Sequence, residues 1–279
     1  MRTITRFALV CVTLFSGLQA KATEQIRWSG SLTDALVQAK KANKLVMVDF
    51  YSDSCVWCKR LDKDVDPDPR VANAAKNILM VKLNVEDSRQ GTAAATKYHV
   101  DKLPTILFLK PDGAIVHTSG YMPPKEFSED MQRAVDIHKN LPVWQAKFKS
   151  DPKDSANTVR LAKVWLEAGR LPEAEQATAT LAKYAPNDKV VAMLYTALGQ
   201  SYAMGGDVPK AQTLFAKALA RATTPQEKAS SNYFLGICAM SRRDKASAKS
   251  YLAKAASISG APESLKKKAK EILDMLAKG

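Results

Sequence analysis

Hydrophobic and polar positions divide the chain into two regimes. Between residues 28 and 140 short apolar runs alternate with stretches of helical period, whereas beyond residue 155 only the helical period is left. In the first regime Leu32, Ala35, Leu36 and Ala39 have the spacing of a helix face, with Ser31 or Thr33 to cap it and Asn43 to end it. Residues 45–51 form a short β-rich apolar run, the composition of a strand covered on both faces of its sheet. A helix is expected from Cys55 until Asp66-Pro67-Asp68-Pro69 breaks it. There follow a short helix at 70–76, a strand at 78–85, an alanine-rich helix at 88–97 and a strand at 105–110. Pro111-Asp112-Gly113 is a tight-turn signal, and residues 114–118 are the return strand of a hairpin. Pro123 or Pro124 opens a last helix to about residue 139, with Phe127, Met131 and Val135 on one face. This order predicts an α/β layer with helices on both faces of a sheet.

The second regime repeats itself. Ala162, Gly199 and Gly236 recur every 37 residues, and Ala174, Ala211 and Ala248 follow each by twelve. Leu198-Gly199, Tyr202, Ala211, Phe215 and Ala218 resemble the alternation of small and large residues in a tetratricopeptide repeat. Leu235-Gly236, Ala239, Ala248, Leu252 and Ala255 form the next copy, and Ala162, Trp165, Ala174, Thr178 and Leu181 a degenerate first one. Small residues let the two helices of a hairpin approach, and large ones fill the groove of the next hairpin. An amphipathic helix over Glu263–Lys278 closes the array. Such arrays usually hold a peptide or another protein, so a protein partner is expected here, with a purely stabilising appendage as the alternative. Residues 141–154, mixed and polar with Pro142, Trp144 and Pro152, read as a linker.

Composition adds constraints. Apolar residues make up 46% of the 279, which is globular rather than disordered, and the formal net charge is +14. The lysines are spread over every expected helix rather than gathered with arginines and aromatics, so solvated helix faces are expected and no nucleic-acid partner. Arg2 and Arg6, the apolar stretch 7–14, and Leu18-Gln19-Ala20 or Ala20-Lys21-Ala22 have the layout of an export signal over residues 1–22. That stretch is too short for a permanent span, so no stable membrane insertion is expected. The mature chain is expected in an oxidising exported compartment, a bacterial periplasm by preference.

Within the apolar-run regime lies Asp49-Phe50-Tyr51-Ser52-Asp53-Ser54-Cys55-Val56-Trp57-Cys58. A strand that delivers Cys55 onto a helix N-terminus makes a reactive thiol, because free N–H groups and the helix dipole favour the thiolate. Cys58, one turn on, can close a disulfide with it. Half of a zinc site and an inert structural disulfide are the other readings of such a pair. No second cysteine pair exists, and His99, His117 and His138 are single and dispersed, which leaves no tetrahedral ligand set and no metal to expect. His99 and His117 read as ordinary surface residues. Cys238 reads as a small apolar residue on a buried helix face.

The strand–helix order with Cys-X-X-Cys between the first long strand and its helix resembles the thioredoxin family. Asp49 matches its buried aspartate, Lys82 the lysine beside it, Leu103-Pro104-Thr105 the cis-proline loop and Gly120 the glycine after the hairpin. Lys59-Arg60-Leu61-Asp62-Lys63 and Asp68-Pro69-Arg70-Val71 are similar to one branch. That branch includes the C-terminal periplasmic domain of the membrane thiol–disulfide interchange protein. The resemblance implies a thioredoxin fold over 23–140, followed by the all-α tetratricopeptide-like domain at 155–279. It implies a protein disulfide oxidoreductase without a cofactor, in which Cys55 attacks, Cys58 resolves, Asp49 takes a proton and Lys82 modulates Asp49. Val56, Trp57, Leu103, Pro104 and Thr105 would contact the substrate, a protein disulfide or thiol, and a second thiol–disulfide protein would donate electrons. Val56-Trp57 lacks the histidine of strongly oxidising relatives, which favours a reductase over an oxidase or isomerase. A non-catalytic repeat-based binding or chaperone protein is the alternative from another class. Ser54, in place of the usual tryptophan, and Lys102, in place of a small residue, alter the contact surface.

Overall fold

The computed structural model describes residues 26–86 and 89–278. The expected export segment, 1–22, and Ser88, where the alanine-rich helix is expected to begin, lie outside them. The first regime folds as β1 (Trp28–Ser29), α1 (Leu32–Ala42), β2 (Leu45–Tyr51), α2 (Val56–Arg60), α3 (Pro69–Ala75), β3 (Ile78–Asn84), α4 (Gly91–Lys97), β4 (Thr105–Leu109) and β5 (Ile115–Ser119). A π-helical turn, Leu61–Val65, continues α2. The sheet order is β1-β3-β2-β4-β5, with β1, β3 and β2 parallel to one another, β4 antiparallel to β2, and β5 antiparallel to β4. The two-residue β1, absent from the sequence reading, is too short to show a period and forms by pairing with β3. At α1 the Ser31 hydroxyl accepts the Asp34 N–H at 3.2 Å, and Asn43 closes the helix at φ 48°.

Because strand side chains alternate, β2 feeds two apolar layers. Val46, Val48 and Phe50 pack with Leu32, Ala35, Ala39 and Ala94 of α1 and α4. Leu45 and Met47 pack with Leu61, Val71, Phe127 and Met131 on the other face. The second layer does not stop at the sheet. It continues through Leu141 and Phe148 into Leu161, Trp165, Leu181, Leu194 and Leu214 of the helical array.

The helix expected to end near residue 139 runs as α5 (Pro124–Ser150) straight through Pro142. Residues 141–150 are therefore helix rather than irregular linker. An interior proline costs about 3 kcal/mol, but burying side chains such as Leu141 and Phe148 returns roughly 1.5–3 kcal/mol each. Phe148 meets Trp165 edge-on at 5.9 Å, and Asn157 Nδ2 donates to Trp144 O at 2.9 Å. One helix thus belongs to both the sheet layer and the array.

The array comprises α6 (Ser155–Glu167), α7 (Leu171–Tyr184), α8 (Val190–Met204), α9 (Val208–Arg221), α10 (Pro225–Ser241), α11 (Lys245–Ser257) and α12 (Glu263–Lys278). A Cβ on Gly199 would sit 2.7 Å from the Phe215 ring, and one on Gly236 2.7 Å from Leu252 Cγ. In the first copy alanine replaces the glycine (Ala162) and threonine the large residue (Thr178), so the volume exchange across the hairpin is reciprocal. Each hairpin turn also needs a left-handed residue in the same register: Gly169 (φ 69°), Gly206 (φ 85°) and Arg243 (φ 61°). A side chain there carries a steric cost that glycine avoids. Arg243→Gly should therefore stabilise the chain by about 0.5–1.5 kcal/mol, read as a shift of the urea midpoint at unchanged slope.

His117 departs from the sequence reading. It is buried, 3% exposed, rather than a surface residue. Its strand is the sheet edge, but α5 and α6 cover that edge. His117 Nε2 lies 2.9 Å from both Asp130 oxygens, Arg133 also binds Asp130, and Glu167 of α6 lies 3.5 Å from Nδ1. Burial opposes the imidazolium, but Asp130 and Glu167 outweigh it and its pKa is raised. Burial likewise opposes the Asp130 charge, but His117 and Arg133 hold its carboxyl down at about 2. This cluster joins the sheet to the first array helix.

Candidate active site

The reactive pair is placed by the end of β2. After Tyr51 the chain turns over Ser52-Asp53-Ser54, where the Cys55 N–H donates to Ser52 O at 3.1 Å and the two serine hydroxyls lie 3.1 Å apart. Cys55 caps α2 with extended backbone, and its sulfur accepts the Cys58 N–H at 3.1 Å. Cys55 and Cys58 are joined as a disulfide with Cα atoms 5.3 Å apart. Cys55 is half-buried, whereas Cys58 is 1% exposed. The two cysteines therefore differ in solvent access. Val56 and Trp57, between them, are 68% and 50% exposed.

Behind the pair, Asp49 and Lys82 are neighbours in the β2–β3 register. Asp49 is fully buried. Lys82 Nζ approaches Asp49 Oδ2 at 3.3 Å, within ion-pair range, yet neither carboxylate oxygen has a hydrogen bond. Desolvation dominates, and despite the opposing Lys82 the Asp49 pKa rises to about 7. Lys82 also binds Asp62 and, at 3.3 Å, Asp66 of the turn after α2, and stands over the Trp28 and Tyr51 rings at 4.9 and 5.6 Å. Partial burial opposes its charge, but the three carboxylates outweigh it and raise its pKa. Burial lifts Asp66 to about 6, against Lys82. The sequence reading did not single out Asp62 and Asp66. Their signal was positional, since they follow Cys58 at successive intervals of four.

Leu103–Pro104 is a cis peptide, Leu103 is half-buried, and Thr105 is buried with its hydroxyl donating to Lys102 O at 2.7 Å. Gly120 packs beside this loop: a Cβ there would lie 3.5 Å from Pro104 O. Tyr121, next in the chain and also absent from the sequence reading, meets Trp57 at a tilt of 49° with ring centroids 4.9 Å apart. Cys238 lies in the array core, free and buried.

A thioredoxin-like domain model matches residues 32–134. The first half of the chain is a thioredoxin-like domain. Its Cys-X-X-Cys lies at the N-terminus of α2, with Cys55 as the cap residue. A tetratricopeptide-repeat model matches residues 128–198, starting inside α5, which agrees with the sharing of that helix between the thioredoxin-like domain and the array. The thiol:disulfide interchange protein DsbD of Escherichia coli K12 is 35% identical over 112 residues, 39% of this chain and 20% of that protein. DsbD of Photorhabdus laumondii is 34% identical over 100 residues, covering 34% of this chain and 17% of that protein. The chain thus spans a fifth or less of the length of these curated relatives. A thioredoxin from Thermus thermophilus aligns in structure at 28% identity over 42% of this chain and 93% of that one, with a TM-score of 0.39.

Proposed function

We propose that this protein is an exported reductase of protein disulfides, acting through Cys55 and Cys58. The observation that carries it is the asymmetry of the pair: a half-exposed sulfur at a helix N-cap and a buried sulfur one turn behind it. In this reading the Cys55 thiolate attacks a substrate disulfide, forms a mixed disulfide and expels one substrate thiolate. Cys58, losing its proton to Asp49, attacks Cys55 Sγ and expels the second. Two electrons pass to the substrate, and the chain is left with the Cys55–Cys58 disulfide. A separate thiol–disulfide protein returns the electrons, a step consistent with the interchange activity in the names of the DsbD relatives. Lys82 tunes Asp49, and Val56, Trp57, Leu103, Pro104 and Thr105 form the contact surface.

The compartment rests on the N-terminal sequence pattern and on the relatives' family. No helix among the described residues is long and apolar enough to cross a membrane. The array is assigned to hold a protein partner, and because α5 is common to both parts, that partner is presented at a set geometry to the redox pair. We assign residues 23–140 to catalysis and 155–279 to partner binding.

Two measurements test the reading. Equilibrated against a glutathione redox series, the Cys55–Cys58 couple should lie near the thioredoxin end of the scale, about −230 to −270 mV. A value near −120 mV would make the protein an oxidase instead. Cys58→Ser, expressed in the native compartment, should accumulate mixed disulfides at Cys55, with Cys55→Ser as the inert control. An empty trap would remove the exchange mechanism.

A further inference from the structure

Ser54 leaves the approach to Cys55 without the aromatic that thioredoxins usually place there, but the cleft is not without aromatics. Trp57 is half in water on α2, and Val56 beside it is more exposed still. Tyr121 stands 4.9 Å from the Trp57 ring, tilted by 49°, while the Arg60 guanidinium lies 5.1 Å from the ring on the helix side. Tyr121 is anchored. It and Met122 pack on the main core, and Gly120 before it is held against the Pro104 loop. The contact therefore ties the dipeptide between the cysteines to the segment after β5 that packs on the Pro104 loop. Val56 and Trp57 follow Cys55 directly in the chain, so the exposed apolar surface they offer, with Tyr121 against Trp57, adjoins the reactive residue.

We propose that Tyr121 is a specificity-determining residue. It holds Trp57 as a ledge that selects polypeptide disulfides in which an apolar or aromatic residue flanks the cysteine. The inference rests on the exchange chemistry proposed above and adds the substrate class to it. An exposed tryptophan edge gains by covering apolar surface, and an aromatic neighbour adds geometry to that gain. A ring free to turn about its side-chain bonds would lose that gain to ordering, which is what the Tyr121 contact removes. Small hydrophilic disulfides reach the sulfur without touching the ledge.

The test uses the full chain and three disulfides: a peptide with phenylalanine beside each cysteine, the same peptide with serine there, and oxidised glutathione. Rates are normalised to glutathione to separate ledge effects from the chemistry at sulfur. The wild type should prefer the phenylalanine peptide over the serine peptide about tenfold in kcat/KM, carried by KM, the size expected for one aromatic contact. Tyr121→Ala should cut that ratio to about twofold, and Tyr121→Phe should keep it. Trp57→Ser should remove it as well, by a route that leaves the Tyr121 backbone untouched. A ratio unchanged in Tyr121→Ala, or a loss spread equally over all three disulfides, would overturn the ledge. Absence of exchange with any of the three in the wild type would overturn the redox reading, and the ledge with it.

Discussion

Asp49→Asn should slow disulfide exchange about 10²-fold at pH 7 and at the same time make the protein more stable. Both effects have one cause. Asp49 is fully buried, and desolvation raises its pKa from 3.8 to about 7, against the pull of Lys82. A carboxyl that titrates near neutrality exchanges protons readily with a buried thiol, and an amide does not. For stability, the native state holds the Asp49 proton more tightly than the unfolded chain. The wild type is thus unpenalised below pH 3.8, loses stability between about pH 4 and 7, and carries the full loss above. A shift of this size corresponds to about 4 kcal/mol, a loss that the uncharged amide of the variant does not incur. Lys82 keeps Asp62 and Asp66 as partners in the variant. Urea unfolding of the two proteins should therefore give similar midpoints at pH 4 and separate midpoints at pH 8. Parallel curves across that range would show that Asp49 is ionised throughout. In the rate profile, the wild-type inflection near pH 7 should vanish in the variant.

Asp130→Ala should cost about 3–5 kcal/mol at pH 6, because it leaves the buried His117 without the carboxylate it shares with the exposed Arg133. The cost should shrink at pH 8, where His117 can shed its proton and remain buried as a neutral ring. The signs follow from the two pKa shifts. His117 is raised, so its contribution is complete below the ordinary value of 6.5 and fades as the pH rises through the folded-state value. Asp130 is lowered to about 2, so its contribution is complete above 3.8 and fades as the pH falls through about 2. The cluster should stabilise most between about pH 4 and 6.5. The Glu167 carboxylate, held below its usual range by His117, extends this dependence into the array. Loss at pH 6 should therefore loosen the packing of α6 on β5, read as faster amide exchange in α6. Faster exchange confined to the sheet, with α6 unaffected, would show that the cluster does not join the two parts.

The fold order was legible because burial leaves a period in the sequence. Six of the seven β2 residues are buried, so the strand reads as an unbroken apolar run. The 37-residue recurrence of Ala162, Gly199 and Gly236 reads as an array because each position faces the partner helix of its hairpin. Cys55 and Cys58 were legible for a similar reason, since four adjacent residues carry both the spacing and the helix start.

What stayed hidden depended on contacts between distant segments. Pro142 read as a stop because a proline's local cost is visible in sequence, whereas the packing of Leu141 and Phe148 that offsets it is not. His117 read as surface because nothing in its local sequence shows that α5 and α6 both pack on its strand. Asp62 and Asp66 were not singled out in the sequence, because only the β2–β3 pairing brings Lys82 to them. Tyr121 lay 64 positions from Trp57 with no shared period. The sequence by itself determined the two architectures, their order and the redox pair, because each is written in local spacing. Tertiary structure decided the shared helix, the buried charges and the aromatic edge of the cleft, because burial and ion pairing depend on which distant side chains exclude water.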